Sequence, residues 1–208
     1  MKHLIDTINE KLQIGKNLKL QKKIPQSRKE LKQIIEQKYN LVGKTGNLSL
    51  LDVDISYVNN FNRIFFDCDG ITSIDISNWI FPKDSKIEMM FPESIEKVDI
   101  SKTDFSEISR FSHMFDGCKN LKFIKGIEDI DTGNATSMEG MFNQCSSLEY
   151  LDVSKWNIRL LKNTESMFDG CENLKNVNGI EKWDFDHQIR ANYNMFFGCN
   201  PKLRNILR

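Results

Sequence analysis

Five cysteines occupy the same place in a repeated phrase, and their chemistry is the first question that the sequence raises. They are Cys68, Cys118, Cys145, Cys171 and Cys199, and each stands three residues after a recurring phenylalanine. Such a series has four interpretations: metal ligands, a ladder of disulfides, a set of nucleophiles, or a buried column of small side chains. The choice decides between an enzyme or metalloprotein and a binding scaffold.

The spacing, the number and the setting of the cysteines argue against the first three interpretations. Stacked coils could bring adjacent thiols to disulfide distance, but five is an odd number and the compartment looks reducing. Zinc ligands come in pairs a few residues apart, whereas these gaps are 26 to 28 residues, or 50 where one copy lacks the position. A nucleophile needs a base and an orienting group, and it would occur once rather than five times. The histidines, His3, His113 and His187, share no repeated position. We therefore predict no metal and no cofactor, and a buried cysteine column where coils pack.

The cysteines belong to a repeat of about 26 residues. Its phenylalanine column is Phe65, Phe91, Phe115, Phe142, Phe168 and Phe196, at steps of 24 to 28 residues. Apolar residues recur one and four positions earlier, which is the spacing of one face of a short helix. An alternating L-x-L pattern follows each time and predicts a very short strand. Units this small cannot bury their own apolar faces, so they must stack.

These patterns predict an α/β repeat solenoid of the leucine-rich-repeat type. Each coil would hold one short parallel strand and one short helix. We expect a basic helical cap over residues 1–46 and a solenoid of five to six coils over 47–208. Two coils are one residue longer, with Gly126 and Gly179 at the insertion, where a bulge is expected. A shared column of tryptophans is predicted to be core: Trp79, Trp156 and Trp183.

The predicted cap consists of a helix at 2–13, a basic linker at 15–24 and a second helix at 27–40. Ser27 and Glu30 fit a capping box at the start of the second helix. Residues 1–50 hold eleven Lys/Arg and four Asp/Glu, whereas 51–208 hold eighteen and twenty-five, so opposite charges cancel over the chain. This asymmetry indicates a nucleic-acid or membrane arm, or two parts that attract each other, and we favour the second interpretation.

The start of the chain lacks the uninterrupted apolar core of a signal peptide, and no stretch approaches eighteen apolar residues. We therefore expect a cytoplasmic protein that does not enter the membrane. No Ser-His-Asp set, glycine-rich phosphate loop or carboxylate pair stands out, so we predict that it is not an enzyme.

Residues beside the apolar positions of each strand would point outward and form a ladder across the coils. The candidate partner-binding residues on this ladder are Phe123, Tyr150, Lys97, Asp99, Lys125 and Asp152. Exposed aromatic residues in a charged surround are typical of protein interfaces. The alternative is that the ladder aspartates and serines only solubilise the sheet and shape its turns. Our first hypothesis is a non-catalytic scaffold that binds an unidentified protein.

The second hypothesis is nucleic-acid binding through the basic first segment. Its candidate contacts are Lys19, Lys22, Lys23, Arg28, Lys29 and Lys32. Contacts to the phosphate backbone of a nucleic acid weaken steeply with salt, and only Tyr39 is near for base stacking.

The closing "PKLRNILR" at 201–208 carries no obvious polar cap. An uncapped last coil is a candidate site of self-association.

The strings "SMFDGCENL" (166–174) and "LDVSKW" (151–156) resemble the BspA-like leucine-rich-repeat family, also known as the DUF285 repeat. The resemblance covers about 60–200. The opening, with "PQSRKELKQIIEQKYN", is similar to the N-terminal cap of short, signal-less members from gut bacteria and their phages. The resemblance implies a solenoid without catalytic residues, and a phage or bacterial protein that captures or inhibits a cellular factor. Many members are secreted surface proteins, so an adhesin whose signal is absent from this chain is a further alternative.

Overall fold

The computed structural model describes residues 22–185, 189 and 192–205. The predicted helix at 2–13, most of the linker at 15–24 and Lys19 lie outside the described residues. The elements are helix α1 (Arg28–Leu41), strands β1 (Gly46–Ser49), β2 (Ile71–Asp75), β3 (Lys97–Asp99), β4 (Phe123–Lys125), β5 (Tyr150–Asp152) and β6 (Asn176–Asn178), and helix α2 (Pro201–Arg204). Short 3-10 turns at Ile127–Asp129 and Ile180–Lys182 follow β4 and β6.

Helix α1 begins at the predicted capping box. The Ser27 Oγ accepts a hydrogen bond from the N–H of Glu30 at 3.2 Å, and the Glu30 carboxylate accepts one from the N–H of Gln26 at 2.9 Å. The first bond satisfies an N–H group that the first helical turn leaves without a partner, and the second joins the residue before the N-cap to the helix. Leu31 and Ile35 are buried in the same core as the repeats. The second predicted helix is therefore confirmed, and it closes the apolar end of the first coil.

The strands are parallel and pair from coil to coil in the predicted register. Leu48, Ile74, Val98 and Ile124 stand opposite one another across β1–β4, and Leu151 stands opposite Val177 across β5 and β6. Each strand buries its central apolar residue and leaves the flanking residues toward solvent, as alternation requires. The prediction of a repeat solenoid is confirmed.

The prediction of one short helix per coil is wrong. In each coil the i, i+3, i+4 segment is a run of turns with one residue in the left-handed region: Arg63, Met89, His113, Gly140, Ser166 and Asn194, with φ between 49° and 57°. A right-handed helix cannot pass through such a residue. The Phe115 N–H donates to the Met141 carbonyl at 2.9 Å, and that of Phe142 to the Met167 carbonyl at 2.9 Å. Bonds between coils replace the local bonds of a helix.

The core is built from columns that run along the solenoid. The rings of Phe91, Phe115, Phe142, Phe168 and Phe196 stack in sequence with centroids 5.0 to 5.5 Å apart and planes within 7° of parallel. Parallel rings at these centroid distances fit the offset stacking that aromatic pairs prefer. The predicted core position of the tryptophans is confirmed: all three are buried. The indole N–H of Trp156 donates to the Ile127 carbonyl at 2.8 Å.

Candidate binding surface

The predicted outward ladder is present on the exposed face of the strands. Ser73, Lys97 and Phe123 are register partners across β2, β3 and β4, and Asp75, Asp99 and Lys125 form the parallel row two residues later. On β5 and β6, Tyr150 stands opposite Asn176, and Asp152 stands opposite Asn178. The structure therefore brings all six predicted partner-binding residues onto one face.

The ladder is interrupted between β4 and β5. The described strands form a four-stranded sheet, β1 to β4, and a separate two-stranded sheet, β5 and β6. A groove with a volume of about 480 Å³ lies at this interruption. Its walls carry Phe123, Ile124, Tyr150 and Leu151, and its polar lining includes Lys122, Glu128, Asp152, Asn176 and Asn178. A concave, aromatic-walled site with a few polar groups is the usual form of a binding pocket.

The interruption follows the coil that carries the extra residue. Gly126 has a φ of 86°, and a Cβ placed there would lie 2.2 Å from the Ser101 Cα of the preceding coil. Only glycine permits both this conformation and this approach. The chain then enters the 3-10 turn at Ile127–Asp129, which displaces it from the line of the strand. Gly179 repeats the arrangement against Ser154, after β6. Both glycines of the insertion thus have positive φ and lead into a 3-10 turn, and the bulge predicted there stays a prediction.

The two predicted aromatic anchors line the same groove and remain open to solvent. Phe123 is 56% exposed and Tyr150 is 62% exposed. The ammonium of Lys175 lies 5.6 Å from the centre of the Tyr150 ring and also forms an ion pair with Glu149 at 2.6 Å. Exposed aromatic rings of this size are the side chains that most often anchor protein interfaces. Lys97 is exposed on the other side of Phe123, away from the groove.

Asp99 and Lys125 are paired with each other rather than free. The Lys125 ammonium lies 2.7 Å from the Asp99 carboxylate, which also accepts the backbone N–H of Ser101 at 3.0 Å. Although partial desolvation raises it, the hydrogen bonds from Lys125 and Ser101 hold the pKa of Asp99 below its usual value. Both predicted residues thus stabilise the sheet and its turn, in agreement with the alternative interpretation of the ladder.

Asp152 combines a structural role with an exposed position in the groove. Its carboxylate accepts the N–H of Ser154 at 2.8 Å and the side-chain amide of Asn178 at 3.0 Å. Hydrogen bonds from the side chain and backbone of Ser154, and then from Asn178, lower the pKa of Asp152. The side chain is therefore charged at neutral pH while it shapes the turn.

Glu128, Asn176 and Asn178 line the groove together with the aromatic anchors, although the sequence patterns did not predict them as site residues. Asn176 and Asn178 appear in the ladder by register, but only the interruption of the sheet places them in one groove with Phe123. The insertion at Gly126 was the available signal. A residue added after one strand predicts a local loss of pairing to the next coil.

The basic first segment is divided between solvent and contacts with the solenoid. Lys22 and Lys29 are exposed, whereas the backbone of Lys23 bonds to Asp52 at 2.8 Å and to Asp54 at 2.9 Å. The Arg28 guanidinium donates to the Asn62 carbonyl, and Lys32 forms an ion pair with Asp67 at 2.9 Å. Among these contacts, the ion pair between Lys32 and Asp67 joins opposite charges of the two parts, whereas the others are hydrogen bonds to the backbone.

The cysteines form the predicted buried column. All five are free and buried. The thiols of Cys145, Cys171 and Cys199 donate to the carbonyls of Phe115, Phe142 and Phe168, at 3.2, 3.1 and 2.9 Å. Burial raises the pKa of Cys68 to about 11 and raises that of Cys118 further. A hydrogen bond with Cys171 instead lowers the pKa of Cys199. Thiols held in the protonated form, as at Cys68 and Cys118, are unreactive toward electrophiles.

The described residues also bear on metal binding and on membrane insertion. No cluster of three or more His, Cys, Asp or Glu side chains suited to a metal occurs among them. Within the same part of the chain, no helix is both long and apolar enough to cross a membrane.

At the C-terminal end, Asn200 caps α2 by accepting the N–H of Lys202 at 2.9 Å, and Leu203 is buried. Self-association through this end stays a prediction.

The comparison with known families agrees with the fold and the repeated phrase. A family described as "Mycoplasma protein of unknown function, DUF285" matches residues 29–96 and 85–207. The chain belongs to the DUF285 family. The two matches together include α1 except its first residue, all six described strands and α2. No curated protein matches the chain.

Proposed function

We propose that this DUF285 solenoid is a non-catalytic scaffold that binds a protein partner through the groove between β4 and β5. The observation that carries the proposal is the pair of exposed rings, Phe123 and Tyr150, that line one groove. A partner can cover the apolar surface of two exposed rings without any rearrangement of the core. In this proposal the partner is a cellular factor that a phage or bacterial protein captures or inhibits.

The structure around the groove is expected to hold the groove surface rigid. The strands and turns on both sides are held by backbone bonds between coils, and the core beneath is a continuous stack of rings. Preorganised surfaces lose little entropy on binding. The free, buried thiols are compatible with a reducing compartment, so we place the interaction in the cytoplasm.

The test is capture of the partner from cells of the source organism by the tagged full chain. Half of each sample is treated with nuclease. We expect a protein that survives nuclease and is lost with the double variant Phe123→Ala/Tyr150→Ala. Tyr57→Ala is the matched control, because Tyr57 is 66% exposed and lies outside the groove.

The same experiment decides against the proposal in two ways. Full capture by the double variant, with unchanged folding by circular dichroism, would remove the groove from the interaction. Loss of the captured material on nuclease treatment would move the function to the basic residues near α1, of which Lys22 and Lys29 are exposed. A further check is the salt dependence, which is steep for contacts to phosphates.

A further inference from the structure

The lysines around the groove are neutralised by carboxylates of the neighbouring coil. Lys122 pairs with Glu96 at 2.9 Å, and Lys175 pairs with Glu149 at 2.6 Å. Each pair joins residues 26 positions apart, so it follows from the repeat itself. These positive charges are therefore balanced within the protein. The net charge of the groove therefore depends on its other ionised side chains.

The remaining ionised side chains of the groove are acidic. Glu128 and Asp152 line it, and neither forms an ion pair of its own within the described part of the chain. Lys155, which does not line the groove, is bound to Asp129 at 2.6 Å and also interacts electrostatically with Glu128 and Asp152. One ammonium group thus faces three carboxylates, and the groove keeps a net negative charge.

Aromatic faces beside carboxylates form a favourable environment for a cation. The negative face of an aromatic ring attracts ammonium and guanidinium groups, and nearby carboxylates add a direct electrostatic attraction. The protein already contains one such contact, because the Lys175 ammonium lies over the Tyr150 ring. The solenoid as a whole is also acidic: residues 51–208 hold eighteen Lys/Arg and twenty-five Asp/Glu. Both the local and the overall charge favour a basic partner.

We infer that the groove accepts a cationic side chain, arginine or lysine, from a basic segment of the protein partner. In this arrangement the cation lies between Phe123 and Tyr150, and the carboxylates of Glu128 and Asp152 bind its charged end. The free amide of Asn176 is available to the backbone of the same segment. The inference rests on the proposed function, because it specifies the chemistry of the partner at the same site.

The test is an NMR titration of the full chain, with labelled phenylalanine and tyrosine rings, using blocked single residues as probes. N-acetyl-arginine methylamide and N-acetyl-lysine methylamide carry the cation. N-acetyl-citrulline methylamide has nearly the shape of arginine but no charge, and a neutral oligosaccharide represents a sugar ligand. We expect shifts at Phe123 and Tyr150 with the two cationic probes, which weaken with added salt, and the comparison of arginine with lysine identifies the preferred cation.

Variants that remove one charge test the carboxylates. Asp152→Asn keeps an oxygen that accepts the Ser154 N–H, so the turn persists while the charge is lost. We expect Asp152→Asn and Glu128→Gln each to weaken binding of the cationic probes about twofold to fivefold, as for one exposed charge contact. Glu107→Gln, at an exposed position outside the groove, is the matched control and should leave binding unchanged. Lys97→Ala should strengthen binding, because it removes a positive charge beside Phe123.

The outcomes separate this inference from the proposed function. Equal binding of the citrulline probe, preferential binding of the oligosaccharide, or no response at the two rings would overturn the inference. Capture of a partner that depends on Phe123 and Tyr150 but not on Asp152 or Glu128 would retain the function and reject the cation. Cation binding without any captured protein would retain the cation site and reject the function.

Discussion

Phe142 and Phe168, one coil apart in the solenoid, stack with ring centroids 5.5 Å apart and planes only 1° from parallel. Neither ring is exposed to solvent. Each belongs to the phenylalanine column that passes through every coil from Phe91 to Phe196. In a repeat protein, the contacts between neighbouring coils supply the cooperativity that the single coil lacks. The column is therefore the part of the core that joins the coils into one folding unit.

Removal of one ring from the middle of the column should be strongly destabilising. We expect Phe142→Ala to lower the free energy of unfolding by about 3–5 kcal/mol, the range for a large cavity in a packed core. Phe197→Ala is the matched control, since Phe197 is 64% exposed and its loss should change stability by less than about 0.5 kcal/mol. Urea unfolding followed by circular dichroism measures both. Equal effects would show that the stack adds nothing to cohesion between coils.

A comparison of Gly126 with Gly117 distinguishes the cost of a steric clash from the cost of a left-handed backbone conformation. Both have positive φ, but a Cβ at Gly126 would clash with the Ser101 backbone, whereas a Cβ at Gly117 meets nothing within 4 Å. We expect Gly117→Ala to cost about 1–2 kcal/mol, the strain of a left-handed residue alone. Gly126→Ala should cost clearly more, and it should also change the ring shifts of Phe123 in NMR spectra. Equal costs from thermal unfolding would contradict the proposed contact.

The ion pair between Lys38 of α1 and Asp52 of the first coil is a test of cap attachment. The charged groups lie 2.6 Å apart, and both side chains are 18% exposed. Desolvation raises the pKa of Asp52, but the hydrogen bond and charge of Lys38 outweigh it and keep that pKa below its usual value. Stability from this pair is therefore present above the usual pKa of an aspartate and is lost as the pH falls through the lowered value.

Substitution of this pair should be costly compared with an exposed pair. We expect Lys38→Ala to destabilise the cap by about 1–2 kcal/mol, because the Asp52 charge then stays partly buried without a partner. Lys119→Ala, which breaks the exposed pair with Glu93 at 3.2 Å, should cost at most about 1 kcal/mol. Hydrogen exchange of α1 amides reports the first effect directly. Unchanged exchange in Lys38→Ala at neutral pH would argue against the pair as an attachment of α1.

The cysteine column should resist alkylation in the folded state. Burial raises the pKa of Cys68 to about 11, so the reactive thiolate is scarce at pH values near 8. We expect iodoacetamide to modify the four thiols whose pKa is raised at the rate of unfolding, and to modify them rapidly in urea: Cys68, Cys118, Cys145 and Cys171. Mass spectrometry counts the modified thiols. Fast modification of the native protein at one position would identify a reactive cysteine instead.

The same burial predicts how stability changes in alkali. An unfolded thiol ionises near its usual pKa of 9.0, whereas folded Cys68 holds its proton to about 11. A pKa that is raised in the folded state contributes stability below the unfolded value, and that contribution is lost as the pH rises through the folded value. We expect the free energy of unfolding to fall from about pH 9 to about pH 11, less steeply in Cys68→Ala. An identical slope in this variant would assign the fall to other groups.

Much of the architecture follows from the order of the residues. The spacing of Phe115, Phe142 and Phe168 predicts the repeat, and the alternation around Ile124 and Leu151 predicts strands with one buried face. These features depend on which side chains are buried, and the spacing of apolar residues in the sequence indicates those side chains directly. Burial of the cysteines and tryptophans follows from the same columns. The start of α1 is equally local, since the Ser27 side chain contacts a backbone group three residues away.

Other features depend on partners about 26 residues away in the chain. The segment around His113 has the apolar spacing of a helix, but the N–H of His113 bonds to the Glu139 carbonyl of the next coil at 2.8 Å. Likewise, Asp99 is joined to Lys125 only because the coils stack in register. The groove that Phe123 and Tyr150 line lies where strand pairing ends, after the strand that the Gly126 insertion follows. Side-chain polarity along one strand cannot specify hydrogen bonds and ion pairs between coils, because stacking creates them.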